Sequence, residues 1–196
     1  MLRNKWIVIF LSCFGCTGTQ SFPVEIQLDE TFSSQEIKTI EQSLMQWRDA
    51  TGIVSYQLAL NYPHDFDFDR DYHRSDDLKV MYKLSNEEWS LYCDAGDFCN
   101  TLGMTARNAV SAVATTIILK YESLDSVDFH KATLHELGHF FGITEHSEYT
   151  DCVMYGGLST PEALPAGREC VDQESLEMFC DLYDCNVARG ACPNAP

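Results

Sequence analysis

One stretch constrains this chain more than any other: His135 to His146, which reads H-E-L-G-H-F-F-G-I-T-E-H. Its first five residues are an H-E-x-x-H pattern. On a helix, His135 and His139 lie one turn apart, so both imidazoles leave the same face. Two converging neutral imidazoles suit Zn²⁺, which takes nitrogen and sulfur donors in a tetrahedron. Glu136, beside the first imidazole, can reach a metal-bound water without ligating the metal. Gly142 follows His139 by three residues, where a glycine can take positive φ, stop the helix and turn the chain back under the metal. His146 then comes round as a third donor. Three protein ligands leave a fourth position open, as in a catalytic rather than a structural site.

An H-E-x-x-H pattern alone also arises by chance on amphipathic helices. Here an apolar run (Phe129, Ala132, Leu134, Leu137, Phe140, Phe141) carries the motif, and a C-V-M-Y-G segment, Cys152 to Gly156, follows it. H-E-x-x-H-x-x-G-x-x-H followed by a Met-turn is the pattern of the metzincin zinc peptidases, and this sequence resembles them. It departs once. The third His of the pattern falls on Glu145, and the histidine comes one residue later, at His146. Either the turn after Gly142 holds one extra residue and His146 ligates, or Glu145 ligates through oxygen. His146 is the preferred reading. Met154 lies eight positions after it, as in the matrix-metalloproteinase-like branch.

The resemblance implies an α+β fold: a twisted, mixed five-stranded sheet, an active-site helix and a small C-terminal subdomain. It implies that Met154 forms an apolar floor under the metal rather than a ligand. It also implies an endopeptidase in which zinc on His135, His139 and His146 activates a water and Glu136 is the general base and acid. A peptide or protein substrate would lie antiparallel to a rim strand, Gly103 to Asn108. Tyr155 directly follows the Met, unlike the assisting Tyr of the astacin-like branch, and is assigned no catalytic role. The rival reading is a catalytically inactive, zinc-containing binding module, an adhesin or inhibitor. The intact Glu136 speaks against it.

The remaining expectations are coarser. The chain has 196 residues and a formal charge of −17. So acidic a surface argues against nucleic acid and against anionic membranes as electrostatic partners. A monomer is expected. Nine cysteines suggest an oxidising compartment with disulfides. Residues 1–16 read as a signal peptide, with Arg3 and Lys5 before an apolar run. Cys13 and Cys16 also leave a lipoprotein signal open, so the expected location is secreted, periplasmic or cell-envelope. Residues 17–23 read as a short tether. Residues 24–196 read as the catalytic domain, split into 24–142 and a disulfide-rich 143–196.

Strands are expected at 24–28, 54–60, 78–84, 103–108 and 115–122. A first helix starts at Ser33 or Ser34 and ends at Gly52. The active-site helix starts near Asp125, and a last helix covers 172–183. Asp65 to Asp77 is a dense acidic stretch. It lacks EF-hand spacing and reads as a solvated loop in preference to a Ca²⁺ site. His64 and His73 are lesser candidates for a structural metal there. Cys93 and Cys99 suit a local disulfide, and Cys170, Cys180, Cys185 and Cys192 would staple the C-terminal part. Cys152 is similar in position to a cysteine of the archaemetzincin subgroup's second zinc site. Ser147 stands where that pattern has Cys, so these cysteines too are read as disulfides.

Overall fold

The computed structural model describes residues 18–74, 76–93, 101–108, 111–120, 126–149, 152–156 and 170–185. The signal region, the Cys93–Cys99 pairing and Cys192 lie outside the described residues. The elements run β1 (Val24–Asp29), α1 (Ser34–Thr51), β2 (Tyr56–Tyr62), α2 (Phe68–Tyr72), β3 (Val80–Leu84), α3 (Asn86–Cys93), β4 (Gly103–Arg107), β5 (Ala114–Lys120), α4 (Ser126–Phe140) and α5 (Gln173–Tyr183).

The strands form one mixed sheet in the order β2-β1-β3-β5-β4. The β1–β2, β1–β3 and β3–β5 pairs are parallel, and only β4 runs antiparallel, against β5. This is the mixed five-stranded α+β architecture expected from the sequence. Parallel neighbours need a crossover, and α1 supplies the one between β1 and β2. Ser33 caps α1 with a full capping box: its side chain accepts from Glu36 N–H, and Glu36 reaches back to Ser33 N–H. Gly52, in the left-handed region at φ 70°, ends the helix.

Strand alternation sorts the core onto two faces. Met81, Ile117 and Leu119 join the large cluster with α1, α4 and α5, whereas Val80, Tyr82, Leu84 and Ile118 pack with Trp89 on the opposite face. Trp89 lies on α3, a helix the sequence reading did not separate from the loop that follows it. α4 is wedged between α1 and the β4–β5 edge. Trp47 of α1 locks it there. Its indole N–H donates to Leu134 O at 3.1 Å, and its ring meets Phe141 and Phe179. Burying each such aromatic contributes roughly 1.5–3 kcal/mol.

The acidic stretch is not the solvated loop expected. Part of it is α2, capped by Asp67, and Asp71 is wholly buried. A buried carboxylate needs counter-charge, and the stretch carries its own. Arg70 Nη2 meets Asp71 Oδ2 at 2.6 Å, and Arg74 pairs with the other oxygen. Burial opposes the charged form, but these partners outweigh it and hold Asp71 below the ordinary carboxylate range. His64 turns away from the stretch and bridges Asp29 and Glu88.

The cysteines need one correction. Cys180 and Cys185 form a disulfide with Cα atoms 4.6 Å apart, and Cys170 is also disulfide-bonded. Cys152 is instead a free, buried thiol. Its Sγ donates to Glu174 Oε2 at 3.0 Å, which turns it toward α5 rather than toward another sulfur.

Candidate metal centre

His135 and His139 sit in the last two turns of α4, where the spacing of four residues puts them on one face. The helix then stops by a Schellman motif. Ile143 N–H donates to Gly138 O at 3.1 Å and Gly142 N–H to His139 O at 3.0 Å, with Gly142 at φ 112°. The reversed chain brings His146 to the other two imidazoles. Nitrogens of His135, His139 and His146 all lie within 4.8 Å of one another. Glu145 is exposed and is no part of this group.

Hydrogen bonds set two of the rings. His135 Nδ1 lies 2.7 Å from Val153 O, and His139 Nδ1 lies 2.8 Å from Ile143 O. A carbonyl only accepts, so each Nδ1 carries the proton and each Nε2 is left as a lone pair. The lone pairs of His135 and His139 face one another with Nε2 atoms 3.1 Å apart, and His146 Nε2 also lies 3.1 Å from His139 Nε2. Facing lone pairs repel unless a cation lies between them. Tetrahedral zinc at about 2.05 Å from each nitrogen would space the donors by about 3.3 Å. The donor set, its spacing and its fixed tautomers therefore fit zinc. Burial also pushes the His139 pKa down to about 4, which keeps its imidazole neutral.

The segment after His146 packs back against that imidazole and against α4. Ser147 N–H donates to Met154 O at 2.8 Å, and Ser147 pairs with Tyr155 as a short parallel bridge. Met154 is fully buried. Gly156 lies flat on the third imidazole; a Cβ there would come within 3.0 Å of His146 Cγ. Asp172 caps α5 and also accepts from Val153 N–H at 2.6 Å, holding the residue whose carbonyl takes the His135 proton.

Glu136 lines the same cleft and leans against β4. Thr105 Oγ1 donates to Glu136 Oε2 at 2.7 Å and lies 3.0 Å from Glu136 O. Gly103 leaves room for the side chain, since a Cβ there would meet Glu136 Cγ at 2.7 Å and Oε1 at 2.9 Å. Burial raises the Glu136 carboxyl to about 7, against the opposing pull of the Thr105 hydrogen bond. These groups line a cleft of about 320 Å³ with Thr101, Leu102, Met104, Arg107, Thr144 and the three histidines.

The sequence named His135, Glu136, His139, Gly142, His146 and Met154, and these residues converge here. It did not single out Gly103, Thr105, Arg107 or Gly138. The first three sit on alternate positions of one strand, which was the only available hint. Gly138 stood in the motif as a variable position.

No protein-family model and no curated protein matches the chain. Among solved structures it is similar to high choriolytic enzyme 1, a hatching enzyme zinc-protease from Oryzias latipes (medaka fish). The identity is 12% and the TM-score 0.45, with 87% of this chain and 96% of that chain covered. The functional reading therefore rests on the geometry of the site itself.

Proposed function

We propose that this chain is a zinc-dependent endopeptidase of the metzincin type. The observation that carries the reading is the convergence of three imidazole nitrogens, two with their tautomers fixed, beside a buried carboxylate on an open cleft. His135, His139 and His146 would hold the ion. When bound, zinc supplies a Lewis acid that acidifies water and polarises a carbonyl. Glu136 does the proton work. Thr105 ties down Oε2, leaving Oε1 to accept the proton of the attacking water and deliver it to the leaving amine. The raised pKa of this carboxyl suits a group that must both take and give a proton near neutrality.

Among the described strands β4 is a sheet edge, and an extended peptide could pair with it by strand addition. A substrate running antiparallel to Thr101–Arg107 would pass its backbone over the three imidazoles. We infer that the chain works as a monomer outside the cytosol. The Cys180–Cys185 bond suits an oxidising compartment.

The test is to load the purified protein with zinc and incubate it with a mixed peptide library. Cleavage that a chelator abolishes, and that Glu136→Ala loses while keeping its zinc, is the expected result. Cleavage by Glu136→Ala at the wild-type rate would overturn the proposal, and no chelator-sensitive cleavage at all would favour an inert zinc module.

A further inference from the structure

Arg107 stands where the cleft rim meets the turn that carries the third imidazole. Gly103, Thr105 and Arg107 alternate along β4 and so share the face toward α4. Thr105 serves Glu136. Arg107 Nη2 donates to His139 O at 3.1 Å and to Ile143 O at 3.2 Å. Ile143 O is the same oxygen that accepts the His139 Nδ1 proton at 2.8 Å. One carbonyl thus joins the guanidinium to the imidazole.

This placement is costly by itself. Arg107 Nη1 is buried with no hydrogen-bond partner among the described residues, and an unmet buried N–H is unfavourable. What the guanidinium gains is the negative end of α4, where carbonyls crowd and a cation is favoured. What the site gains is an acceptor for His139 that cannot swing. His135 draws on a different segment, through Val153 O, and Arg107 makes no bond to it.

We propose that Arg107 is a positioning residue for metal binding: by clamping the Ile143 carbonyl it holds the His139 hydrogen bond, and with it the aim of His139 Nε2. This deepens the zinc reading above and rests on it. The Ile143 carbonyl is one step behind the ligand, where a partner typically sets metal affinity by about 10- to 100-fold; Arg107 stands one step further back and acts through it.

The test compares wild type, Arg107→Met and Arg107→Lys as full-length protein. Zinc affinity is measured by competition with a chromophoric chelator. Solvent exchange of the His139 and His135 Nδ1 protons is measured by nitrogen-15 NMR on the zinc-loaded proteins. In Arg107→Met the zinc Kd should rise by a few-fold up to about tenfold, the low end of the range for a direct partner, because the carbonyl stays in place. Exchange at His139 should quicken while exchange at His135 stays as in wild type. Arg107→Lys, which keeps the charge on a shorter side chain without the planar Nη2 that reaches both carbonyls, should fall between. If Arg107→Met does not fold, the lysine variant carries the same comparison. Unchanged affinity and exchange would overturn the proposal, and so would equal quickening at both histidines, which marks general loosening. A wild type that binds no zinc is a different result: it removes the function reading itself.

Discussion

The Met154 sulfur rests directly on the bare backbone of Gly138, the glycine inside H-E-L-G-H. A Cβ built on Gly138 would overlap Met154 Sδ and come within 3.2 Å of both Met154 Cε and Trp47 Cζ2. The helix that carries two imidazoles and the turn that carries Met154 are therefore in contact at the one position of α4 without a side chain. That contact sets how closely the Met-turn approaches α4, and through Val153 O it sets the His135 acceptor too.

Gly138→Ala measures this contact against helix propensity. Alanine favours a helix interior over glycine by roughly 1 kcal/mol. Overpacking a filled core costs about 1–3 kcal/mol, and here neither Met154 nor Trp47 has free space. Gly138→Ala should therefore lower the unfolding free energy in urea. The double variant with Met154→Ala should lose less than the sum of the two single losses, because the smaller side chain relieves the clash. A more stable Gly138→Ala protein would show that the Met154 contact can give.

The sequence disclosed what is periodic or local. A serine cap at Ser33 or Ser34, the Ile37, Ile40, Leu44 and Trp47 stripe and a stop at Gly52 wrote α1 almost to the residue, and the structure chose Ser33 and added Glu36 to the cap. Asp172 and the Leu176, Phe179 and Cys180 face wrote α5. The spacing of His135, His139 and His146 wrote the donor set. The rest depends on contacts between distant residues. Asp71 read as one more solvated acid because its partners, Arg70 and Arg74, look like ordinary surface charges until the chain coils. Cys152 read as half of a disulfide because nothing local marks Glu174 as its partner. Thr105 and Arg107 are unremarkable strand residues until α4 packs beneath them.

Gly103→Ala separates placement of the base from holding of the metal. The new methyl would fall within 2.9 Å of Glu136 Oε1 and closer to Cγ, so the carboxylate must move. A displacement near 1 Å in a catalytic group can cost about 100-fold. None of the three imidazoles touches Gly103 in this way, so zinc affinity should stay as in wild type. Peptide turnover should fall by about tenfold or more in kcat at unchanged zinc Kd. Full activity in this variant would show that Glu136 has slack to reposition.

His64 makes stability depend on pH away from the cleft. Its ring bridges the buried Asp29 carboxylate and Glu88, with Nε2 2.6 Å from Glu88 Oε1, and its backbone N–H faces Glu30. Burial disfavours the imidazolium, but the two carboxylates outweigh it and raise the pKa above the ordinary histidine value. The folded state therefore binds this proton more tightly than the unfolded chain. Its contribution is whole below about pH 6.5, the unfolded value, and drains away as pH rises through the raised folded value. Urea unfolding of the zinc-free protein between pH 5.5 and 9 should show stability falling across that window. His64→Gln should flatten the difference. Parallel curves for the two proteins would remove His64 as the cause.

Gln20 decides whether the segment before β1 is a tether or part of the site's support. It is buried, and its side-chain amide donates to Ala114 O at 2.7 Å and Phe140 O at 3.0 Å. Its N–H donates to Tyr183 OH at 2.8 Å, and that hydroxyl donates to Phe141 O at 2.7 Å. A helix leaves its last carbonyls without partners, and here Ile143 N–H, Arg107, Gln20 and Tyr183 satisfy those of Gly138, His139, Phe140 and Phe141 in turn. Gln20→Ala strips the donor from two buried carbonyls, which should cost about 1–3 kcal/mol in urea unfolding. Gln20→Glu should cost more, because a carboxylate brings no donor and sets like charges against both oxygens. If both variants unfold with the wild-type midpoint, the segment is a tether after all, and the end of α4 holds without it.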